Sequence, residues 1–276
     1  MNHFNPTHRS AVNNHQRISI VVAVLNGMKT IERCLQSIFH QTYSNTELII
    51  MDGNSMDGTQ DVLISHSDKI TYWESAPDNG IYHAWNKALT HVTGEWICFL
   101  GADDCFWNKH VLTDLYPYLE QAALSGIRVV YGQSARVDRH GNVVKIHGKP
   151  WEKIAWIMRH GMTLQHTGLM HHRSLFDQHG LFDSTFRIAG DYEFLLRELK
   201  NGQALYVDGI RTVACQVGGT ADSSNILHHK EVFRARKMNG LCSFSLIWTI
   251  VFTRAILRRL YRKFLNRAQL DRTENG

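Results

Sequence analysis

Continuous apolar runs alternate with segments of helical periodicity over the first hundred residues. The runs predict strands at residues 18–25, 46–51, 70–73 and 96–100. The first is β-branched and nearly all apolar, which is typical of a central parallel strand buried on both faces. After it, Ile31, Cys34, Leu35 and Ile38 recur at helical spacing. The alternation predicts an α/β fold whose sheet is mostly parallel, with helices on its faces and right-handed crossovers.

The second half of the chain is less regular. Residues 127–131 and 204–207 predict further strands, and a helix is expected to begin at Asp191. An aromatic-rich segment that includes Trp156 is interpreted mainly as core. The chain has 17 histidines, but they lack the spacing of zinc sites, and the neighbours His171 and His172 are expected to point to opposite sides of a strand.

Two adjacent carboxylates, Asp103 and Asp104, follow the fourth predicted strand. In α/β sheets, ligands bind in the crevice beyond the carboxyl ends of the strands. Two carboxylates there repel each other unless a cation or hydrogen-bond donors lie between them. Mg²⁺ or Mn²⁺ together with phosphate oxygens would relieve that repulsion. The alternative is a solvated turn, since aspartate is a common turn residue.

The 276 residues suffice for one large domain, or one domain with an appendage. The five cysteines are widely spaced and form no C-x-x-C pair, which argues against a zinc knuckle or a disulfide framework and favours a reducing compartment. Residues 1–16 are polar, lack the apolar core of a signal peptide, and are expected to be a disordered lead-in.

Charge is unevenly distributed along the chain. The net charge is +5, and residues 227–276 contain 11 Lys and Arg against 3 Asp and Glu, a net +8 that leaves −3 for residues 1–226. In the tail, residues 223–276, apolar and basic pairs alternate, which predicts an amphipathic helix and an anionic membrane surface as partner rather than nucleic acid. Docking of this helix on the body or on a second copy is the alternative. The apolar run at residues 241–252 is too short to span a bilayer.

Five segments, in order, resemble family 2 glycosyltransferases with the GT-A fold, close to the bacterial polysaccharide and lipid-linked oligosaccharide subgroup. They are residues 18–25, 46–59 with the pattern D-G-x-S-x-D-G-T, 77–82 with Asn86-Lys87, 93–95 and 99–104. No G-x-G-x-x-G and no P-loop is present. The resemblance covers roughly residues 17–220 and implies a catalytic domain at 17–222.

The resemblance implies a donor site for a nucleotide-diphosphate sugar. Its residues would be Ala23, Leu25, Asp52, Asp78, Lys87, Asp103 and His166. Ala23 and Leu25 would line the base pocket, and Asp52 would accept a hydrogen bond from the base. Structural alternatives are a loop cap for Asp52, a turn for Asp78 and a solvated helix face for Lys87.

The resemblance also implies a metal site and a general base. Asp104 would bind Mn²⁺ or Mg²⁺, and Asp103 would contact the ribose or the water shell of the metal. Asp191 would take the proton from the acceptor hydroxyl, as inverting transfer requires; its alternative role is that of an N-cap. The glycine pair Gly218-Gly219 resembles a loop that covers the donor, with a flexible linker as the alternative.

These expectations describe an inverting, metal-dependent glycosyltransferase that uses a UDP-sugar in preference. Its acceptor would be a growing glycan, polyprenyl-linked, at the inner face of the cell membrane, where the protein would be cytoplasmic and peripheral. The sequence is compatible with any oligomeric state. Two alternatives are a catalytically silent binding protein of the same fold, docked to membrane by its tail, and a nucleotidyltransferase; the latter usually has a glycine-rich phosphate loop, which residues 26–29 do not form.

Overall fold

Nine strands form one mixed sheet in the computed structural model, which describes residues 16–216 and 226–241 together with residues 249 and 253. The strands are β1 (Ile18–Val24), β2 (Thr46–Asp52), β3 (Tyr72–Ser75), β4 (Trp96–Gly101), β5 (Cys105–Phe106), β6 (Val129–Val137), β7 (Val143–His147), β8 (Met170–His172) and β9 (Leu205–Gln216). The helices are α1 (Ile31–Phe39), α2 (Thr59–Ser65), α3 (Ile81–Leu89), α4 (Val111–Leu124), α5 (Trp151–Met158), α6 (Ser174–His179), α7 (Gly190–Leu199) and α8 (Ile226–Met238).

The strand order is β3-β2-β1-β4-β8-β6-β9-β5, and β7 pairs with β6. Strands β1 to β4 are parallel to one another, and β6 and β9 are parallel to each other. Because β8 is antiparallel to both β4 and β6, these six strands all point the same way. The predicted α/β fold with a mostly parallel sheet is confirmed.

Alternate residues of each central strand pack into two separate cores, one on each face of the sheet. In β4, Ile97 and Phe99 face the core formed with α3, α5 and α7, whereas Trp96, Cys98 and Leu100 face the core formed with α1, α2 and α4. This two-residue period is the geometry of a strand with both faces buried. It explains why the sequence of these strands is almost continuously apolar.

The structure departs from the predictions mainly in the second half. β6 and β9 extend to Val137 and Gln216 because they pair with each other over most of their length. In β9, Gly209 with a φ of +77° interrupts the apolar pattern. In the aromatic-rich segment interpreted mainly as core, Trp151 and Ile154 are buried, whereas Trp156 is 55% exposed, so the interpretation is wrong for Trp156.

The two neighbouring histidines of β8 do lie on opposite sides. His171 is fully buried against Phe99, Phe176 and Phe194, whereas His172 packs edge-on against Trp96 in the other core. This alternation follows from the strand geometry.

The segment predicted to be a tail begins with α8, which packs on α7 and buries Val232 and Ala235 in the core. None of the helices within the described residues is long and apolar enough to cross a membrane. The lead-in through residue 15, the Gly218-Gly219 loop and the basic amphipathic segment beyond residue 253 lie outside the described residues. The boundaries at 17, 222 and 223 remain predictions.

Candidate active site at the carboxyl ends of the strands

The register of the sheet brings four strand ends together. Val24 pairs with Asp52, Asp52 pairs with Ser75, and Ala23 pairs with Gly101. The strands end at one edge of the sheet because they are parallel and their last residues are paired in register. The loops after β1, β2, β3 and β4 therefore surround one crevice, where ligands bind in folds of this type.

Asp52 organises two of these loops. Its side chain is 2% exposed, and its carboxylate accepts hydrogen bonds from Ser55 N (2.9 Å), Ser55 Oγ (2.5 Å) and Ser75 Oγ (2.5 Å). A nucleotide base would compete with these donors for a buried carboxylate. The contacts assign Asp52 a part in shaping the loops, and its predicted contact with the base remains a prediction.

The loop after β1 is tied to the loop after β2 through backbone donors. Gly27 N donates to Thr59 Oγ1 (2.9 Å), and Met28 N donates to Asp57 Oδ2 (3.0 Å). Asp57 also accepts hydrogen bonds from the amide and hydroxyl of Thr59, where α2 begins. The spacing of the acid and hydroxyl residues in D-G-x-S-x-D-G-T is thus explained by loop geometry.

Side chains from two different loops meet at Gly53. A Cβ added to Gly53 would lie 3.0 Å from Asp78 Oδ2 and 3.3 Å from Leu25 Cδ1. Leu25 is 62% exposed, Asp78 is half-buried, and Ala23 lies half-buried two residues earlier in β1. Apolar surface beside a carboxylate suits a planar base with donor groups, so the structure brings together two of the predicted donor-site residues, Leu25 and Asp78.

Asp103 and Asp104 converge above Gly101. A Cβ at Gly101 would lie 2.8 Å from Asp103 Oδ1 and 2.9 Å from Asp104 Oδ2. Burial and the neighbouring Asp103 raise the pKa of Asp104 to about 7, although hydrogen bonds from Thr167 and Cys215 lower it. The glycine that ends β4 is therefore what allows the two carboxylates to approach each other.

A divalent cation is compatible with this arrangement. The donor set consists of carboxylate oxygens, which Mg²⁺ and Mn²⁺ prefer, and a cation would relieve the repulsion that raises the pKa of Asp104. Within residues 16–216 and 226–241, no group of three or more His, Cys, Asp or Glu side chains is placed to hold a metal. The protein would thus supply two carboxylates, and a nucleotide would have to supply further oxygens.

The positively charged side chain of Arg33, in α1, also lies beside Asp103 and Asp104. Arg33 Nη2 donates to the carbonyl oxygen of Asp103 at 2.7 Å. The guanidinium is mostly exposed, so it can meet a phosphate without breaking a buried contact. The apolar spacing of α1 gives no hint of this role, since Arg33 lies between its buried positions.

Two predicted donor-site residues have strong contacts elsewhere. The Lys87 ammonium forms an ion pair with Glu74 in β3. His166 is 6% exposed and stacks on Trp85 and Phe99 with ring centroids 4.9 and 5.4 Å apart. Burial holds the pKa of His166 well below its usual range, so the ring is neutral. Contact of either residue with the donor remains a prediction.

Asp191 lies in the first turn of α7, as the sequence predicts. It is half-buried, and its Oδ1 accepts hydrogen bonds from the Tyr82 hydroxyl (3.3 Å) and from Tyr192 N (2.8 Å). Burial raises the pKa of Asp191 to about 6, opposed by these hydrogen bonds. A partly exposed carboxylate with such a pKa can accept a proton near neutral pH. Asp191 is not the N-cap of α7, because Ala189 occupies the N-cap position.

A chain of contacts connects Asp191 with the acidic pair. Tyr82 packs edge-on against Trp85, and Trp85 stacks on His166. The next residue, Thr167, donates to Asp104. Packed aromatic rings of α3 and of the segment before β8 thus connect the two acidic sites.

A small pocket with room for about one water molecule lies beside Thr167. It is lined by residues of β6, β9 and the segment 163–168, including Ser134 and Gln165. Its walls carry hydroxyl and amide groups that can form hydrogen bonds with a small polar group.

The family model described as glycosyl transferase family 2 matches residues 19–180. A PGL/p-HBAD biosynthesis glycosyltransferase of Mycobacterium bovis (strain BCG / Pasteur 1173P2) is 26% identical over 269 residues, which cover 92% of this chain and 94% of that protein.

Solved structures resemble the fold at lower identity. The crystal structure of S. aureus TarS 1-349 in complex with UDP-GlcNAc has a TM-score of 0.64 at 17% identity, covering 81% of this chain and 65% of that chain. The mannosyltransferase PcManGT from Pyrobaculum calidifontis, in complex with GDP-Man and Mn²⁺, has a TM-score of 0.59 at 17% identity. The match covers 90% of this chain and 76% of that chain. The GT-A fold expected from the sequence is confirmed.

Proposed function

The chain belongs to glycosyl transferase family 2 and is a glycosyltransferase, and we propose that it is an inverting, metal-dependent one. The observation that carries the proposal is the pairing of two acidic sites that packed aromatic rings connect. Asp103 and Asp104 converge at the end of β4, while Asp191 presents a half-buried carboxylate with a pKa raised to about 6.

In the proposed reaction, Asp191 accepts the proton of the acceptor hydroxyl. The acceptor oxygen forms a bond to the anomeric carbon as the bond from that carbon to the diphosphate breaks, on the opposite face of the sugar. Mn²⁺ or Mg²⁺, held by Asp103 and Asp104, would offset the charge of the departing nucleoside diphosphate. Arg33 lies where it could contact the same phosphates.

For the donor, a UDP-sugar is the first candidate. The surroundings of Gly53, with Leu25 and Asp78, would receive the base, and the related TarS structure binds UDP-GlcNAc. The PcManGT structure holds GDP-Man with Mn²⁺, which supports a nucleotide sugar and a metal more generally. Ala23, Asp52, Lys87 and His166 complete the proposed donor site.

The proposed acceptor is a hydroxyl of a growing, polyprenyl-linked glycan. The hydroxyl and amide groups around the small pocket beside Thr167 could contact a sugar hydroxyl of such a ligand. The basic tail at residues 223–276, net +8 from residue 227 onward, would dock on an anionic membrane surface. The protein would then act in the cytoplasm as a peripheral protein of the inner face, with its catalytic domain at residues 17–222.

A thermal-shift panel tests the donor and the metal together. UDP, GDP, CDP and their common sugars are each added with and without Mn²⁺, to the wild type, to Asp104→Asn and to the control Asp61→Asn, which changes an exposed acid of α2. We expect a metal-dependent rise in melting temperature with one nucleotide class, kept in Asp61→Asn and lost in Asp104→Asn. Folded wild-type protein that responds to no nucleotide would contradict the proposal.

A further inference from the structure

The amino end of α7 is held by a carboxylate from α8. Three consecutive backbone amides donate to Glu231: Arg187 N to Oε1 at 2.9 Å, Ile188 N to Oε2 at 2.8 Å and Ala189 N to Oε2 at 2.9 Å. Glu231 is 6% exposed. Three donors on its two oxygens form the contact pattern of a carboxylate, so the negative charge is buried at this position.

This contact lies directly before Asp191. The amides belong to residues 187–189, and α7 begins at Gly190, so the position of the Asp191 backbone depends on where Glu231 holds the preceding turn. The amino end of a helix carries positive potential that stabilises nearby anions. Glu231 offsets this potential. Burial is the main cause of the raised pKa of Asp191, and the negative charge of Glu231 adds a smaller contribution in the same direction.

The groups that face Asp191 come from three elements. Tyr82 of α3 donates its hydroxyl, Tyr192 of α7 donates its amide, and Glu231 of α8 contributes a negative charge. The two hydrogen bonds favour the ionised form of Asp191, whereas Glu231 disfavours it. Among these, Glu231 is the group that both fixes the α7 terminus and strengthens the carboxylate as a proton acceptor.

We propose that Glu231 is a positioning residue for Asp191: it anchors the turn before α7 and places a negative charge behind the base. The inference rests on the proposed function, in which Asp191 accepts the acceptor proton. It extends the active site to α8, within the segment that the sequence predicted to be a tail. The sequence gives no signal for it, since Glu231 lies 40 residues beyond Asp191.

The test separates charge from helix docking. Glu231→Gln removes the charge and keeps a carbonyl oxygen for the amides of Ile188 and Ala189. Asn239→Ala is the matched control, because Asn239 Nδ2 binds Glu193 of α7 at 3.1 Å without touching residues 187–189. Titration of ¹³C-labelled aspartate carboxyls follows Asp191, whose signal is assigned as the one lost in Asp191→Asn.

We expect Glu231→Gln to lower the pKa of Asp191 by up to about 1 unit, because burial raises this pKa more than the charge of Glu231 does. Asn239→Ala should leave that pKa unchanged even if it lowers the melting temperature. The acidic limb of the pH profile for transfer should move in the same direction in Glu231→Gln, with KM for the nucleotide sugar within about twofold of wild type. A folded Glu231→Gln protein with an unchanged Asp191 titration would overturn the inference.

A second variant covers failure of Glu231→Gln to fold. Glu231→Asp keeps the charge but shortens the side chain, so transfer should fall while the pKa of Asp191 stays near the wild-type value; wild-type transfer by this variant would overturn the positioning role. Failure of the proposed function looks different: Asp191→Asn would then retain transfer, whatever the titration of the Glu231 variants shows.

Discussion

Gly190 packs directly against the ring of Tyr82. A Cβ added at Gly190 would lie 2.8 Å from Tyr82 Cε2 and 2.9 Å from Cδ2 and Cζ, closer than such atoms approach in proteins. The glycine at the start of α7 is thus what lets α3 and α7 come near enough for the Tyr82 hydroxyl to reach Asp191. The hydrogen bond between Tyr82 and Asp191 thus depends on the absence of a side chain at the residue before Asp191.

Replacing Gly190 by alanine is expected to destabilise the protein by about 1 to 3 kcal/mol, the usual cost of overpacking a core. Alanine favours a helix by up to about 1 kcal/mol over glycine, so a net loss would demonstrate the clash. The measurement is urea unfolding of Gly190→Ala beside Gly161→Ala, where a Cβ meets nothing within 4 Å. Equal stability of the two variants would show that the α3–α7 contact relaxes freely.

Removing the base should abolish most transfer. Asp191→Asn keeps the size of the side chain but cannot accept a proton, and we expect a fall in kcat of about 10² to 10⁴-fold, the contribution of a general base. Nucleotide binding, measured by thermal shift, should be unchanged. Asp61→Asn serves as the control with wild-type kcat. Activity of Asp191→Asn within a few-fold of wild type would remove Asp191 from the mechanism.

The Tyr82 hydrogen bond and the Glu231 charge should shift the pKa of Asp191 in opposite directions. Donation from the hydroxyl favours the ionised form of Asp191 and lowers its pKa. Tyr82→Phe should therefore raise that pKa above about 6 and move the acidic limb of the pH–rate profile upward, by about 0.5 to 1 unit. The profile of kcat between pH 5 and 8 provides the measurement. A limb that stays in place or moves downward would contradict the assigned hydrogen bond.

Asp104 is expected to destabilise the protein when no metal is bound. Its folded pKa of about 7 lies above the ordinary 3.8, so the penalty is absent below about pH 4, grows as pH rises and is complete above pH 7. By linkage this amounts to at most about 4 kcal/mol. In EDTA at pH 8, Asp104→Asn should therefore melt several degrees above wild type, with a smaller difference at pH 5.

Asp104→Asn also separates the effect of Asp104 on stability from its effect on binding of metal and nucleotide. Adding Mn²⁺ and the responding nucleotide should raise the melting temperature of wild type and not that of Asp104→Asn. A variant that melts at or below the wild-type temperature in EDTA at pH 8 would show that Asp104 is not under electrostatic strain. Asp61→Asn again controls for the general loss of one acidic residue.

The sequence carried the strand pattern, the chain order of the acidic motifs and the start of α7, because these depend on residues close together in the chain. Apolar runs with polar ends, such as residues 18–25 and 96–100, identify buried parallel strands and the edge where ligands bind. The family resemblance then assigned Asp103, Asp104 and Asp191 to a donor site and a base. Each of these signals is contained within about ten consecutive residues.

The partners of those acids come from distant parts of the chain, and local patterns do not encode them. Tyr82 lies 109 residues before Asp191, and Glu231 lies 40 residues after it. Thr167 reaches Asp104 from the segment before β8. The way the helices pack on the sheet also decides three other features. It buries His166 among aromatic rings, pairs Lys87 with Glu74, and leaves Trp156 exposed. Burial and long-range contacts set the pKa of each acid, so its chemistry depends on the folded chain as a whole.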